Sequence, residues 1–270
     1  MGRSQRARRI MPGRDVTVTF ADGPLRGPIG HPIINLITYV RGGLYDYDAM
    51  MSLGILLKPG QLFIDVGANI GSYSVLAGRI VGTSGRIISV EPSPDQLSYL
   101  RYNLRDLPAE TMICTDPLAD QATHAQFVSP GLTTQHLVQS ASSDVGIKTS
   151  TLDAELARLG YRDGGGFAKI DVEGWEPAVI KGAGGWLASR PVGLLVEANG
   201  LNYRSPVSWA ESVEILHEHG YEYTWPEFSK KVLHLFSKPQ PQSPFEDYLI
   251  LTPEARAHLQ RSASLHIQAV

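Results

Sequence analysis

Between residues 62 and 251 the chain alternates short apolar runs with segments whose apolar positions recur every three or four residues. Residues 62–66, 86–90, 112–115, 167–171, 192–197, 221–225 and 248–251 are apolar runs of strand length. Helical spacing marks residues 70–80, the segment after Ser93-Pro94 with Leu97, Leu100 and Leu104, and the segment with Trp209, Val213 and Leu216. Strands that alternate with helices form βαβ units, and strands apolar along their length are covered on both faces. The pattern predicts a mainly parallel, seven-stranded α/β sheet with helices on both faces. Upstream, residues 16–20 alternate apolar and polar before Ala21-Asp22-Gly23, as an edge strand and turn do. A helix over 47–57 is stopped by Lys58-Pro59-Gly60. Residues 117–150, rich in Ser, Thr, Gln and Gly, break the rhythm and read as an insertion, with short strands at 126–128 and 136–138. The predicted organisation is a tail and edge-strand extension over 1–42, one domain over 43–252, and a C-terminal helix and tail over 253–270.

Composition narrows the class. With 43% hydrophobic residues and a net charge of −3, the chain has the material for a core and is not a disordered polymer. Lys and Arg are not in excess, which argues against a nucleic-acid binder, because phosphate neutralisation needs surplus positive charge. The single cysteine, Cys114, excludes a disulfide framework and a multi-cysteine metal site, and is compatible with a cytoplasmic location. Arg3, Arg6, Arg8 and Arg9 are followed by Met11-Pro12-Gly13 rather than an apolar run, so they read as a solvated tail. No segment has the apolar length of a membrane span.

The segment Ile64-Asp65-Val66-Gly67-Ala68-Asn69-Ile70-Gly71-Ser72-Tyr73 carries the strongest chemical signal. A strand enters a glycine-containing turn and then a helix, as in nucleotide-binding α/β folds. Gly67 permits a tight turn and close approach of a ligand to the backbone. Gly71 and Ser72 fall at a helix N-terminus, whose N–H groups suit an anion. Glu91, twenty residues after Gly71 and followed by Pro92, ends the second strand, where a carboxylate can accept from both hydroxyls of a ribose. A dinucleotide fingerprint needs a second glycine where Asn69 stands, and Asp65 adds a carboxylate unwelcome to a diphosphate. The pattern favours S-adenosylmethionine, whose α-amino group suits an acid, over a nicotinamide cofactor and an oxidoreductase.

With Glu91-Pro92 and the string Lys169-Ile170-Asp171-Val172-Glu173-Gly174, this segment resembles the FkbM-type methyltransferases. Thr151-Leu152-Asp153, Lys181-Gly182-Ala183 and Val196-Glu197 fit the same family, and the likeness covers about residues 43–251. The resemblance implies a class I methyltransferase (Rossmann-like) fold, S-adenosylmethionine as donor, and usually O-methylation of a small molecule or sugar. It implies that Asp65, Gly67, Asn69 and Gly71, with Ser72 and Tyr73 beside them, hold the methionine moiety. Glu91 and Pro92 would hold the ribose, and Asp116 and Pro117 would lie near the adenine. Bulky Trp175 and the loop Gly164-Gly165-Gly166 depart from the family pattern at positions that bear on the acceptor pocket.

Asp171, Glu173 and Glu197 end strands four and five, where open α/β sheets bind ligands. Each is a candidate general base for a hydroxyl proton, and Asp171 also borders the cofactor. An equally good reading makes Asp171 and Glu173 loop-shaping acceptors with Lys169 as charge partner. Oxygen ligands from Asp171, Glu197 and Asn199 would suit a divalent ion, although no dense carboxylate cluster announces one. His217 and His219 lie on different helix faces and are not a zinc pair, and His124 and His136 fall in the insertion. Tyr45 and Tyr47 either border the cofactor or pack. Alternatives to O-methylation are N- or carboxyl-methylation and a non-catalytic cofactor-binding protein. An amino-methylating nucleic-acid enzyme would show Asn/Asp-Pro-Pro-aromatic where this chain has Asp171-Val172-Glu173-Gly174.

Overall fold

The structure, a computed structural model, describes residues 15–20, 23–28, 31–39, 44–128, 136–139, 146–161, 165–198, 204–236 and 247–269. Before the main sheet come β1 (Asp15–Phe20), β2 (Gly23–Pro28), α1 (Pro32–Tyr39) and α2 (Tyr47–Leu56). Alternation then sets in with β3 (Leu62–Val66), α3 (Ser72–Val81), β4 (Arg86–Val90), α4 (Pro94–Leu104) and β5 (Glu110–Cys114). The insertion forms β6 (His124–Val128), β7 (His136–Gln139) and β8 (Ile147–Lys148), a separate three-stranded sheet. It is followed by α5 (Leu152–Arg158), β9 (Phe167–Ile170), α6 (Glu176–Lys181), α7 (Gly184–Ala188), β10 (Gly193–Glu197) and α8 (Trp209–Glu218). The chain closes with β11 (Glu222–Glu227), β12 (Val232–Phe236), β13 (Asp247–Leu251), α9 (Pro253–Ser262) and β14 (His266–Ala269).

The main sheet has nine strands in the order β14-β12-β11-β13-β10-β9-β3-β4-β5, not the seven expected. The two additions escaped the hydrophobic pattern for physical reasons. In β12 a polar His234 interrupts the run, and β14 is an edge strand whose residues are all exposed, so neither presents a continuous apolar face. Residues 253–270 are accordingly not a helix and tail: β14 returns to pair in parallel with β12. Strands 15–20 and 23–28 pair with each other in their own hairpin and not with an edge of the main sheet.

The seven sequence-predicted runs all become strands of this sheet. Every residue of β3 and β9 is buried, and Phe63 and Phe167 stack across them with centroids 6.4 Å apart. Side-chain caps fix several helix starts: Thr151 accepts from Ala154 N at 3.1 Å, and Ser208 accepts from Glu211 N at 3.2 Å. Asp153 accepts from Gly185 N and Trp186 N at 2.7 and 2.8 Å, tying α5 to the start of α7. From β3 the chain moves outward to β4 and β5, then returns to place β9 on the opposite side of β3. The order therefore reverses between β3 and β9, and a crevice opens outside their carboxyl ends. Among the described residues, no helix is long and apolar enough to cross a membrane.

Candidate active site

The crevice is a cavity of about 300 Å³ at that switch point, a size typical of small-molecule sites. Its first wall is the turn between β3 and α3. Gly67 lies at φ 81°, and a Cβ there would come within 1.8 Å of the Asp171 carbonyl oxygen. No residue with a side chain fits, so glycine lets the turns after β3 and β9 close on one another. Gly67 N and Ala68 N both donate to Val90 O at 3.0 Å, and Asp171 N donates to Val66 O at 3.0 Å. Gly71, at φ 89°, leaves room for Leu100 Cδ1, which a Cβ would approach to 2.8 Å.

Asn69 takes the left-handed conformation (φ 54°), which asparagine tolerates better than most residues. Its N–H donates to Glu91 Oε2 at 2.8 Å, while Ser93 N donates to Glu91 Oε1 at 2.8 Å. Burial pushes the Glu91 carboxyl upward, and these two N–H groups partly offset the push. Asn69, Ser72, Tyr73, Glu91, Pro92 and Pro117 all line the cavity, as the sequence led one to expect. Asp65, Gly71 and Asp116 do not. Asp65 is buried behind the turn, where its Oδ2 accepts from Ser74 N at 2.9 Å and Ser74 Oγ at 2.6 Å. It organises the start of α3 from the rear.

The second wall is the carboxyl end of β9 and β10. Lys169 is only 8% exposed, and its Nζ donates to Asp171 Oδ2 at 2.8 Å while lying 5.2 Å from the Tyr73 ring centroid. Burial alone would raise the Asp171 carboxyl, but the ammonium beside it holds it below the usual carboxylate range. Glu197 is the opposite case: burial and the Asp171 charge push it to about 10, so it carries a proton at neutral pH and hydrogen-bonds Asp171. Glu173 stands on a left-handed backbone (φ 57°), a strained conformation of the kind concentrated at functional sites. Its carboxyl is raised by burial and by Asp171.

Behind this wall Glu176, fully buried, accepts from Val172 N at 2.9 Å and Gly174 N at 3.1 Å with one oxygen. Its second oxygen has no hydrogen-bond partner, and burial raises the carboxyl to about 7. Carboxylate oxygens of Asp171, Glu176 and Glu197 lie within 4.8 Å of one another. The sequence-based cation site used Asn199 as third member; Asn199 is outside the described residues, and Glu176 is the group the fold brings to Asp171 and Glu197.

A third wall was not legible in the sequence. Ile33, Tyr45 and Asp46 precede the main sheet, and Asp247 opens β13, yet all four line the cavity. Tyr73 O–H donates to Asp46 Oδ2, and Tyr45 OH and Ser72 Oγ are 2.8 Å apart. His31, buried, pairs its Nε2 with Asn69 Oδ1 at 3.1 Å. Tyr45 thus borders the cavity as one reading had it, whereas Tyr47 is 54% exposed and packs edge-on against Phe228. His124 is outside the wall, and the His136 side chain is outside the described residues. His217 packs edge-on against Tyr223, and Leu216 is core. Trp175 does not touch the cavity either: it fills a small cluster with Ala119, Ala125, Ala178 and Val207 beneath the insertion.

Comparison with known proteins adds three facts. Residues 65–223, more than half the chain, match the profile of the Methyltransferase FkbM domain. Two curated proteins named Ribosomal RNA large subunit methyltransferase E match in part. The one from Bdellovibrio bacteriovorus is 37% identical over 60 residues, 20% of this chain and 31% of its own. The one from Sorangium cellulosum is 32% identical over 90 residues, 33% of this chain and 34% of its own. The chain thus spans about a third of the length of these relatives. Among solved structures, a methyltransferase FkbM from Methylobacillus flagellatus aligns with 73% of this chain and 45% of its own, at 17% identity and a TM-score of 0.46.

Proposed function

The chain belongs to the FkbM methyltransferase family and is an S-adenosylmethionine-dependent enzyme, and from that premise we propose that it methylates a hydroxyl oxygen of a small molecule or sugar. The observation that carries this reading is a single cavity with two chemically different ends. One is a glycine turn with Asn69 and Glu91; the other is a set of strand-end carboxyls around Glu173.

The cofactor end fits the group. The left-handed turn at Gly67 and Asn69 exposes backbone toward the cavity, and both Glu91 oxygens, each held by one N–H, keep a lone pair for a ribose hydroxyl. In this reading Gly67, Asn69, Ser72 and Tyr73 hold the methionine moiety, Glu91 and Pro92 the ribose, and Pro117 the adenine. Asp65, Gly71 and Asp116 shape these positions without lining the wall. When bound, S-adenosylmethionine supplies the methyl group, its sulfonium becoming a neutral thioether as the C–O bond forms.

Three acids were candidates for the base, and their surroundings separate them. Asp171 is ionised but weakened as a base by Lys169; Glu197 already holds a proton. Glu173, raised above the ordinary value yet ionisable near neutrality, takes the hydroxyl proton. Lys169 and Asp171 then fix the loop that presents Glu173. A cytoplasmic setting is part of this reading, consistent with one buried cysteine at the end of β5.

The test is direct. Titration with S-adenosylhomocysteine should show binding that weakens in Asn69→Ala and Glu91→Ala, and incubation with acceptors should yield an acid- and base-stable methyl ether. Unchanged affinity in both variants, or methyl recovered on nitrogen or as an ester, would count against it.

A further inference from the structure

The cavity wall is unbalanced in charge. Asp46, Glu91, Asp171, Glu173, Glu197 and Asp247 face it against one basic side chain among the described lining residues, Lys169, which is already paired with Asp171 at 2.8 Å. A cofactor with an ammonium, a sulfonium and a carboxylate brings one net positive charge, which does not balance the remainder.

The placement of the acids says more than their number. Glu197 on β10 and Asp247 on β13 are direct cross-strand partners in the antiparallel ladder. Like charges at such positions destabilise a sheet, so the pair costs the fold something unless a cation or donor sits over it. Behind the pair, the second oxygen of fully buried Glu176 has no hydrogen-bond partner, although it belongs to the carboxyl group clustered with Asp171 and Glu197. A buried acceptor without a donor is unfavourable in an empty site. Asp46 and Asp247 come from outside residues 65–223, so this face of the wall is built by the flanks of the family-matched core.

We propose that the acceptor carries an ammonium group near the hydroxyl that is methylated, seated by Asp46, Glu197 and Asp247. This rests on the O-methyltransferase reading and specifies its substrate class. Surrounding carboxylates keep the amine protonated and without a lone pair, so it cannot compete for the methyl. The hydroxyl oxygen beside Glu173 forms the bond to carbon, and its proton passes to the Glu173 carboxylate. Phosphorylated acceptors and the phosphodiester backbone of RNA meet like charge and are rejected. A divalent ion would answer the same charge less well. Lys169 holds one oxygen of Asp171, and Val172 N and Gly174 N hold one of Glu176, whereas an ammonium needs only scattered acceptors.

The experiment is binding, not turnover. The wild-type protein saturated with S-adenosylhomocysteine is titrated calorimetrically with glucosamine, glucose and glucose 6-phosphate, and with tyramine and 4-ethylphenol, in the presence and absence of EDTA. Each amine should bind about tenfold tighter than its neutral match, one desolvated charge pair's worth, with no binding of the phosphate and no effect of EDTA. In Asp247→Asn the preference should shrink severalfold while affinity for S-adenosylhomocysteine stays constant. Equal binding within each set, no binding of any amine, preference for the phosphate, or abolition of binding by EDTA would overturn the inference. Failure of S-adenosylhomocysteine to bind the wild type would instead remove the cofactor reading beneath it.

Discussion

The two ends of the cavity are built by different rules. The cofactor end comes from one continuous stretch, β3 through the start of α4, where backbone does most of the work: two glycines and an asparagine at positive φ, and N–H groups holding Glu91 from both sides. The acceptor end is assembled from remote pieces: Asp46 before α2, Lys169 to Glu173 after β9, Glu197 on β10 and Asp247 on β13. There side chains do the work, and their protonation states depend on one another. A backbone site tolerates little change but is chemically generic; a side-chain site drifts easily and sets what is bound.

That contrast can be broken by experiment. The largest effect is expected for Glu173→Gln, which touches the acceptor end alone. Loss of a general base should lower kcat by about 10²–10⁴ with affinity for S-adenosylhomocysteine unchanged. Because Glu173 is raised above 4.5, activity of the wild type should fall on the acid side through that elevated value, and the variant should lack this limb. If both ends lose binding together, they are not separable.

Gly67→Ala strikes where the two ends meet, because the added methyl would lie 1.8 Å from the Asp171 carbonyl. A forbidden conformation combined with overpacking predicts a stability loss of about 3 kcal/mol or more by denaturant unfolding. A small change would mean the turns after β3 and β9 move independently. Glu91→Ala confines the damage to the cofactor end: loss of a charged hydrogen-bonding partner predicts about 1.5–3 kcal/mol in S-adenosylhomocysteine binding, with acceptor preference intact.

The smallest effect concerns Glu176, and its sign depends on pH. Its folded-state value, about 7, exceeds the ordinary 4.5. The folded state therefore holds a proton that the unfolded chain has released, and this stability is complete below 4.5 and lost as pH rises through 7. Glutamine has no proton to lose and can still accept from Val172 N and Gly174 N. Glu176→Gln should match the wild type at pH 5 and exceed it at pH 8, by on the order of 1–3 kcal/mol. Equal stability at both values would show that the carboxyl is not confined as described.

Much of this was legible beforehand because it is local. Apolar runs of strand length fixed seven of the nine strands; β12 and β14 were hidden because a half-buried strand with His234 and an exposed edge strand carry little hydrophobic signal. The turn from Asp65 to Gly71 could be read because glycine, asparagine and a strand-end acid each have a conformational or hydrogen-bonding reason to stand where they do. Asp65 shows the limit of that reading, since its carboxylate turned to Ser74 behind the loop rather than to the cavity.

By itself, then, the sequence determined the alternating fold, the cofactor turn and the set of acids at the ends of β9 and β10, all of which depend on neighbours a few residues apart. Only the tertiary structure decided which acids meet and in what charge state. Asp46 and Asp247 join a wall centred on residues far away in the chain, and Lys169 keeps Asp171 ionised while Asp171 in turn keeps Glu197 protonated. Electrostatic coupling depends on distance and burial in space, and neither is written in residue order.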